Sequence, residues 1–347
     1  MMRNLYPLAF TVSLVAPVEA AIELTDGLMF SGFGSTSVTR SNNDAPLFIN
    51  REISNTTCYD CDTTFGLQLD YRYLDQLMLS AQVVKRPQDE WSQPELEWLY
   101  ASYEADALSI AVGRQRLPLF LASEYYFVGH AYFWARPPQD VYDSIMGFTS
   151  YDGISFDWQT MLSDALSIAV TPFYGVGKDN PIKYGDSTLN LKSDYNVGLS
   201  VELTGINYRL HAAYMNAGYQ IDTEPKQTLN MFTLGGEYSM DQWQFIAELE
   251  NDKMQTAWDL SVAYHYNDWT PYVTYGESHQ RRKVNNVILG LRHYFTPHIS
   301  LNAEWQTTRM AEDDYQNRHD GHFAFPPLYL AADKDAQLYT LMVNFVF

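Results

Sequence analysis

Basic residues are scarce in this chain of 347 residues: 22 lysines and arginines stand against 42 aspartates and glutamates, a formal net charge of -20 at pH 7. That balance argues against nucleic acid or anionic lipid as a polyanionic partner. Cysteine is scarcer still, with only Cys58 and Cys61, set as Cys58-Tyr59-Asp60-Cys61. One such motif lacks the second ligand pair of a zinc centre and the strand-to-helix setting of a thioredoxin-type redox site. A small loop disulfide is the expected state in an oxidising compartment, with metal or redox chemistry the alternative. Beyond the first twenty residues no segment is long and apolar enough to cross a bilayer as a helix, which takes about 20 apolar residues. Any crossing must therefore be made by strands.

What is present fits that constraint. Arg3 gives a positive start, residues 5–15 form a short apolar core, and Val18-Glu19-Ala20 ends in a small residue. The expectation is an export signal over residues 1–20 and a mature barrel over 21–347. The mean hydropathy of -0.28 is modest although 15% of residues are aromatic and 26 are tyrosine. Alternating apolar and wet faces would average to such a value.

Period-two stretches recur along nearly the whole chain. Strands are expected near 28–40, 63–73, 76–86, 95–104, 107–116, 150–159, 165–175, 192–204, 206–219, 228–240, 242–253, 256–267, 269–280, 284–296, 298–310 and 337–347, about sixteen in all. Tyr195, Val197, Leu199, Val201 and Leu203 alternate with Asn196, Ser200 and Glu202; Trp243, Phe245, Ala247 and Leu249 alternate with Gln244, Glu248 and Glu250. Aliphatics on one face and polar groups on the other mean a lipid-facing wall around a wet interior. The last strand, Tyr339 to Phe347, keeps the pattern to its final aromatic residue, and needs a partner if it is not to leave an open edge.

The connections alternate in length. Short turns at Leu74-Asp75, Ala105-Asp106, Asp241, Asn267-Asp268 and Thr296-Pro297 lie between longer segments at 41–62, 87–94, 117–149, 176–191, 220–227 and 311–336. Short turns at one rim and long loops at the other form the layout of a transmembrane β-barrel. Tyr71, Tyr73, Trp158, Tyr238, Trp243, Tyr266 and Trp269 sit beside the short turns, where an interfacial aromatic girdle belongs.

On these features the chain resembles the sixteen-stranded general porins of Gram-negative bacteria. The sharper elements are Gly113-Arg114-Gln115 closing one strand, Ser150-Tyr151-Asp152-Gly153-Ile154 opening the next, the long segment between them, and the terminal Phe347. The resemblance implies an all-β, antiparallel transmembrane barrel of the bacterial outer membrane. Residues 117–149 would be its third external loop, folded inward to narrow a water-filled pore. It further implies passive diffusion of small hydrophilic solutes and ions, a homotrimer in outer-membrane lipid, and assembly machinery that reads the C-terminal strand. No catalysis, metal or cofactor is implied.

Pore function rests on the charges at the constriction. The loop offers Glu124, Arg136, Asp140 and Asp143. Strict alternation would point Arg114 and Arg116 at lipid, where a mid-bilayer arginine costs roughly 2–4 kcal/mol. Either a bulge at Gly113 turns them inward or the strand has already left the hydrocarbon band there; an inward Arg114 opposite loop acids would set a transverse field. On the wall, Arg72, Arg209 and Arg292 are the inward basic candidates. Glu95, Glu97, Asp157, Glu202, Glu237, Glu248, Glu250, Asp259 and Glu304 are the acidic ones. Acids outnumber bases, so a weak cation preference is expected. The segments Ala131-Tyr132-Phe133-Trp134 and Phe323-Ala324-Phe325-Pro326-Pro327 read first as packing between loops and wall. An adhesin or receptor barrel is the alternative function; a barrel hydrolase, using His279, His319 or His322, stands further off because no nucleophile motif accompanies them.

Overall fold

The computed structural model describes residues 21–87, 92–144, 149–184 and 187–347; the expected export signal over 1–20 lies outside them. Seventeen strands form one sheet. They are β1 (Ile22–Thr25), β2 (Leu28–Ser41), β3 (Thr64–Leu74), β4 (Leu77–Lys85), β5 (Glu95–Ala105), β6 (Leu108–Arg116), β7 (Ser150–Ser163), β8 (Leu166–Tyr184) and β9 (Ser187–Gly205), followed by β10 (Tyr208–Ile221), β11 (Gln227–Met240), β12 (Trp243–Asn251), β13 (Gln255–Tyr264), β14 (Trp269–Gln280), β15 (Val284–Thr296), β16 (Ile299–Arg309) and β17 (Ala336–Val346). Short helices α1 (Gln139–Tyr142) and α2 (Glu312–Gln316) interrupt the loops.

Sixteen of the strands, β2 to β17, make a closed antiparallel barrel. Each pairs with its sequence neighbour, and β17 returns to β2 from Leu338↔Ser41 to Val346↔Phe33. Closure removes the open edge that the terminal strand would otherwise leave. The four-residue β1, missed by the sequence reading, pairs only with the start of β2, Ile22 opposite Phe30.

The pleat sorts side chains as the alternation requires. Along β17, Tyr339, Leu341 and Val343 are exposed on the outer face, while Leu338, Met342 and Asn344 are buried inside. The short turns use residues that tolerate a left-handed backbone: Asp106, Asp241 and Asn267 have φ of 49°, 53° and 51°. Tyr73, Trp158, Tyr238, Trp243, Tyr266 and Trp269 are exposed on the outer face beside these turns. One connection differs from expectation. Residues 176–184 and 187–191 continue β8 and β9 as a paired ribbon, Lys178↔Ser193 to Tyr184↔Ser187, where a loop was expected.

Candidate functional site: the inner loop and the remaining lumen

The segment from Leu117 to Ser144 lies inside the barrel, because its apolar residues meet the inner wall in three places. Leu119, Phe120 and Tyr142 pack with Tyr151, Phe173, Met215 and Met231. Leu121, Phe133 and Trp134 pack with Ile246, Ala263, Tyr272 and Ile288. Phe127 reaches Phe33 and Val84. These contacts touch β2, β4, β7, β8 and β10 to β15, so the loop spans the lumen. Phe133 and Trp134, like Phe323 and Ala324 of the last loop, are buried packing residues.

A buried loop must also satisfy its peptide groups. Wall side chains supply the partners. Glu248 accepts the Leu121 N–H at 2.8 Å and Glu304 that of Ala135 at 3.1 Å. Asn302 donates to the Phe133 carbonyl at 2.7 Å, and Arg292 to the carbonyls of Gly129, at 2.9 Å, and Tyr132. Arg282 donates to the Gln139 and Asp143 carbonyls at 2.9 and 2.7 Å.

The first loop locks against the inner loop through buried charge. Asp62 pairs with Arg51 at 2.9 Å and with Arg136 at 3.1 Å, and Arg136 reaches Glu304 at 3.3 Å. Burial opposes ionisation of Asp62, but Arg136 and Arg51 outweigh it and hold its carboxyl below the usual range. Nearby, Cys58 and Cys61 are joined as a disulfide, so neither offers a free thiolate.

Several candidate residues therefore occupy places other than the pore lining. Arg136, Asp140 and Arg292 are fully buried, Asp143 and Glu248 nearly so; they fasten the loop and have little contact with water. Arg114 is on the outer face. The β6 register runs unbroken through Gly113, so alternation carries Arg114 outward beside exposed Leu99, Val112 and Tyr174. There it makes a two-pronged pair with Asp152 at 2.7 and 2.9 Å, in a groove of about 510 Å³. Arg116, beyond the last pairing with β5, turns inward to Glu97 at 3.0 Å and over the Phe127 ring at 4.8 Å.

The groups that still meet water in the lumen lie on the other side of the loop. Glu124 is exposed, and the charges facing it are Glu202, Asp157, Arg209 and Arg116. Its carboxyl is pushed above the usual range, first by displacement of bulk water and then by Glu202 and Asp157. Arg209 donates to the Tyr125 hydroxyl at 2.7 Å and pairs with Glu237 at 3.3 Å, with Glu202 at 4.0 Å. Arg72 and Glu104 sit 3.8 Å apart near the short-turn rim. Tyr125, Arg51 and Asp62 were not singled out from sequence. Tyr125 carries no charge and the other two lie in an aperiodic loop, so no pattern marks them.

The sequence profile of the Gram-negative porin family matches residues 11–313. No curated protein sequence matches the chain significantly. Among solved structures, the chain is similar to Salmonella typhi OmpF in complex with daunomycin, with a TM-score of 0.64, 10% identity, and 93% of this chain and 98% of that one covered. It is similar to the anion-selective porin of Comamonas acidovorans, with a TM-score of 0.61, 10% identity, and 92% and 99% covered. A trimer form of Vibrio cholerae OmpT gives a TM-score of 0.58 at 14% identity, with 92% and 99% covered. At such identities the likeness is one of fold.

Proposed function

Because the chain belongs to the Gram-negative porin family, we propose that its lumen is a narrow outer-membrane diffusion channel with a preference for cations. Porins of the outer membrane pass small hydrophilic solutes passively, and that is the activity of this barrel. The finer reading concerns sign and residues. The observation that carries it is the exposed Glu124 on the loop, facing Asp157 and Glu202 on the wall. The nearest base on the wall, Arg209, is held by Tyr125, Glu237 and Glu202. A ring weighted toward carboxylates raises the local concentration of cations and lowers that of anions.

Arg72, Arg209, Glu124 and Glu202 are the residues proposed to tune passage; Arg116, 8% exposed and paired with Glu97, is proposed to anchor the start of the loop. Arg114 is outside the lumen, and Arg136, Asp140, Asp143, Arg292 and Glu248 act by fixing the loop. The barrel is proposed to work as a homotrimer, as the Vibrio cholerae OmpT trimer form does, and to be assembled through its C-terminal strand. There Phe347 is held to Gly32 by backbone bonds of 2.8 and 2.9 Å. Catalysis is not proposed. Buried His322 bonds Asp140 at 3.0 Å and Ser278 also bonds Asp140, at 3.2 Å, so both serve to fasten the loop.

The test is the reversal potential of the purified protein in a planar bilayer under a salt gradient, beside Glu124→Gln. The wild type is expected to favour cations and the variant to lose much of that bias. Anion selectivity in the wild type, or an unchanged variant, would sink the proposed sign and the role of Glu124.

A further inference from the structure

One row of the inner wall gathers carboxylates, and the middle one faces only acidic charge. The register places Gly235, Glu248, Asp259, Gly276 and Asn286 side by side on β11 to β15. All five face inward, and neighbouring positions in such a row stand about 5 Å apart. The inner loop enters the row at its two glycines. A Cβ on Gly235 would meet the Leu121 Cγ at 2.8 Å, and one on Gly276 would collide with the Asp140 Oδ2. Gly276 thus gives up its side-chain space to the Asp140 carboxyl. The row as built reads Glu248, Asp259, Asp140 and Asn286: three carboxyls and an amide.

The partners are unevenly distributed. Asp140 is well supplied: Ser278 and His322 bond Oδ1 at 3.2 and 3.0 Å, and the Asn286 amide bonds Oδ2 at 3.2 Å. Arg282 faces it as well. Asp259, 1% exposed, has a partner on neither oxygen. The charged groups facing it are Glu248 and Asp140, both acidic. Glu248 Oε2, Asn286 Oδ1 and Gln255 Oε1 are also buried without a partner. Gln255 belongs here too, since its amide donates to the Asp140 carbonyl at 3.3 Å. Apart from His322 Nδ1, the unsatisfied atoms of this patch are acceptor oxygens. Arg282 and His322 serve Asp140, so it is Asp259 that lacks positive charge, and several carboxylates cannot remain ionised together in a buried site unless something neutralises them.

We propose that Asp259, Glu248, Asp140 and the amide oxygens of Asn286 and Gln255 form a site for a hard divalent cation of the calcium type, which fastens the inner loop to the wall. Oxygen donors alone, carboxylate and amide carbonyl mixed, are the ligand set of such ions. Three carboxyls favour a divalent over a monovalent charge. The site is empty here and its carboxyls line the row without closing on one point; Glu248, with its longer side chain, is the ligand that must swing in. The inference is independent of which ions the lumen prefers.

Trp134 makes the site observable. Its indole N–H bonds Ser261 and Thr274 at 3.1 and 3.0 Å, and Ser261 is two residues from Asp259 on the same face of β13. Terbium, a luminescent analogue of calcium, bound there would be excited through this indole. The experiment titrates terbium into the full chain refolded in lipid-free detergent, then adds calcium. The expected result is sensitised emission that calcium displaces, at least tenfold weaker in Asp259→Asn and unchanged in Asp313→Asn of the external α2. Calcium should also raise the unfolding temperature of the wild type and not of Asp259→Asn. If Asp259→Asn does not fold, Asn286→Ser is read instead, with several-fold weaker binding expected. Equal emission from wild type and variant, or no emission at all, would overturn the site. So would an Asp259→Asn protein that is more stable than wild type in chelator and in calcium alike, the behaviour of carboxyls that share protons and bind no metal.

Discussion

Arg136 of the inner loop and Asp62 of the first loop meet as a two-pronged buried pair, with Nε donating to one carboxylate oxygen at 3.2 Å and Nη2 to the other at 3.1 Å. Both are about 2% exposed. The pair joins two external loops inside the barrel, and Arg136 extends the link to Glu304 and Thr340 on the wall. Position, rather than charge in the pore, is what this arginine supplies.

Removing it should release the loop. Arg136→Ala leaves Asp62 with Arg51 and strips Glu304 of its paired arginine, a loss of the kind that costs about 3–5 kcal/mol when a buried pair is broken. The expected outcome is a lower thermal unfolding midpoint of the detergent-solubilised barrel, with larger and noisier single-channel current as the loop swings. An unchanged midpoint would mean that the loop is held by its apolar contacts alone.

Acid should act on the same joint. Asp62 titrates below the ordinary carboxylate value because its arginine partners overcome the effect of burial. A depressed carboxylate contributes stability that is present above its unfolded pKa, near 3.9, and lost as pH falls through the folded one. His130 adds to this from the other direction. Burial, and then Arg292, lower it to about 4, so the unfolded chain takes its proton first and stability falls as pH drops from about 6.5 toward 4. Unfolding midpoints measured from pH 7 to pH 3 should decline in two stages. The step below pH 4 should shrink in Asp62→Asn, which has no carboxyl left to protonate there. A midpoint indifferent to pH across the whole range would contradict both assignments.

The wall was legible in the sequence and the interior was not, for a physical reason. Wall residues obey the pleat, so Trp243, Leu260 and Tyr339 announce their outward face by period alone. Length alternation located the short turns at Leu74-Asp75, Ala105-Asp106, Asp241, Asn267-Asp268 and Thr296-Pro297, but not the one between β1 and β2. The ribbon over residues 176–184 and 187–191 was lost because Gly175, Gly177 and Pro181 interrupt the pattern while the pairing continues through them. Loop residues carry no period. Glu124 and Asp140 look alike in sequence, yet one is exposed to the lumen and the other is buried in the space left by Gly276. That difference is set by where the loop enters the wall, which depends on glycines more than a hundred residues away in the chain. Arg114 lies where the alternation points it: the porin resemblance implies an inward arginine, but the register runs unbroken through Gly113 and supplies no bulge to turn it.

Arg114 and Arg209 therefore make opposite predictions. Arg114 sits on the outer face, half paired and half exposed with Asp152, in a setting where such a pair is worth about 0–1 kcal/mol. Arg114→Gln should leave conductance and reversal potential at their wild-type values and stability within that small margin. Arg209 stands among Glu202, Glu237 and Tyr125 where the lumen still meets water. Arg209→Gln removes the arginine of that cluster and leaves Glu202 and Glu237 without it, so cation preference should rise and become more sensitive to salt. Both variants keep a side chain able to hydrogen-bond, which separates loss of charge from loss of packing. Selectivity that moved with Arg114 and not with Arg209 would place the constriction on the β6 side and overturn the assignment of the lumen made from Glu124, Asp157 and Glu202.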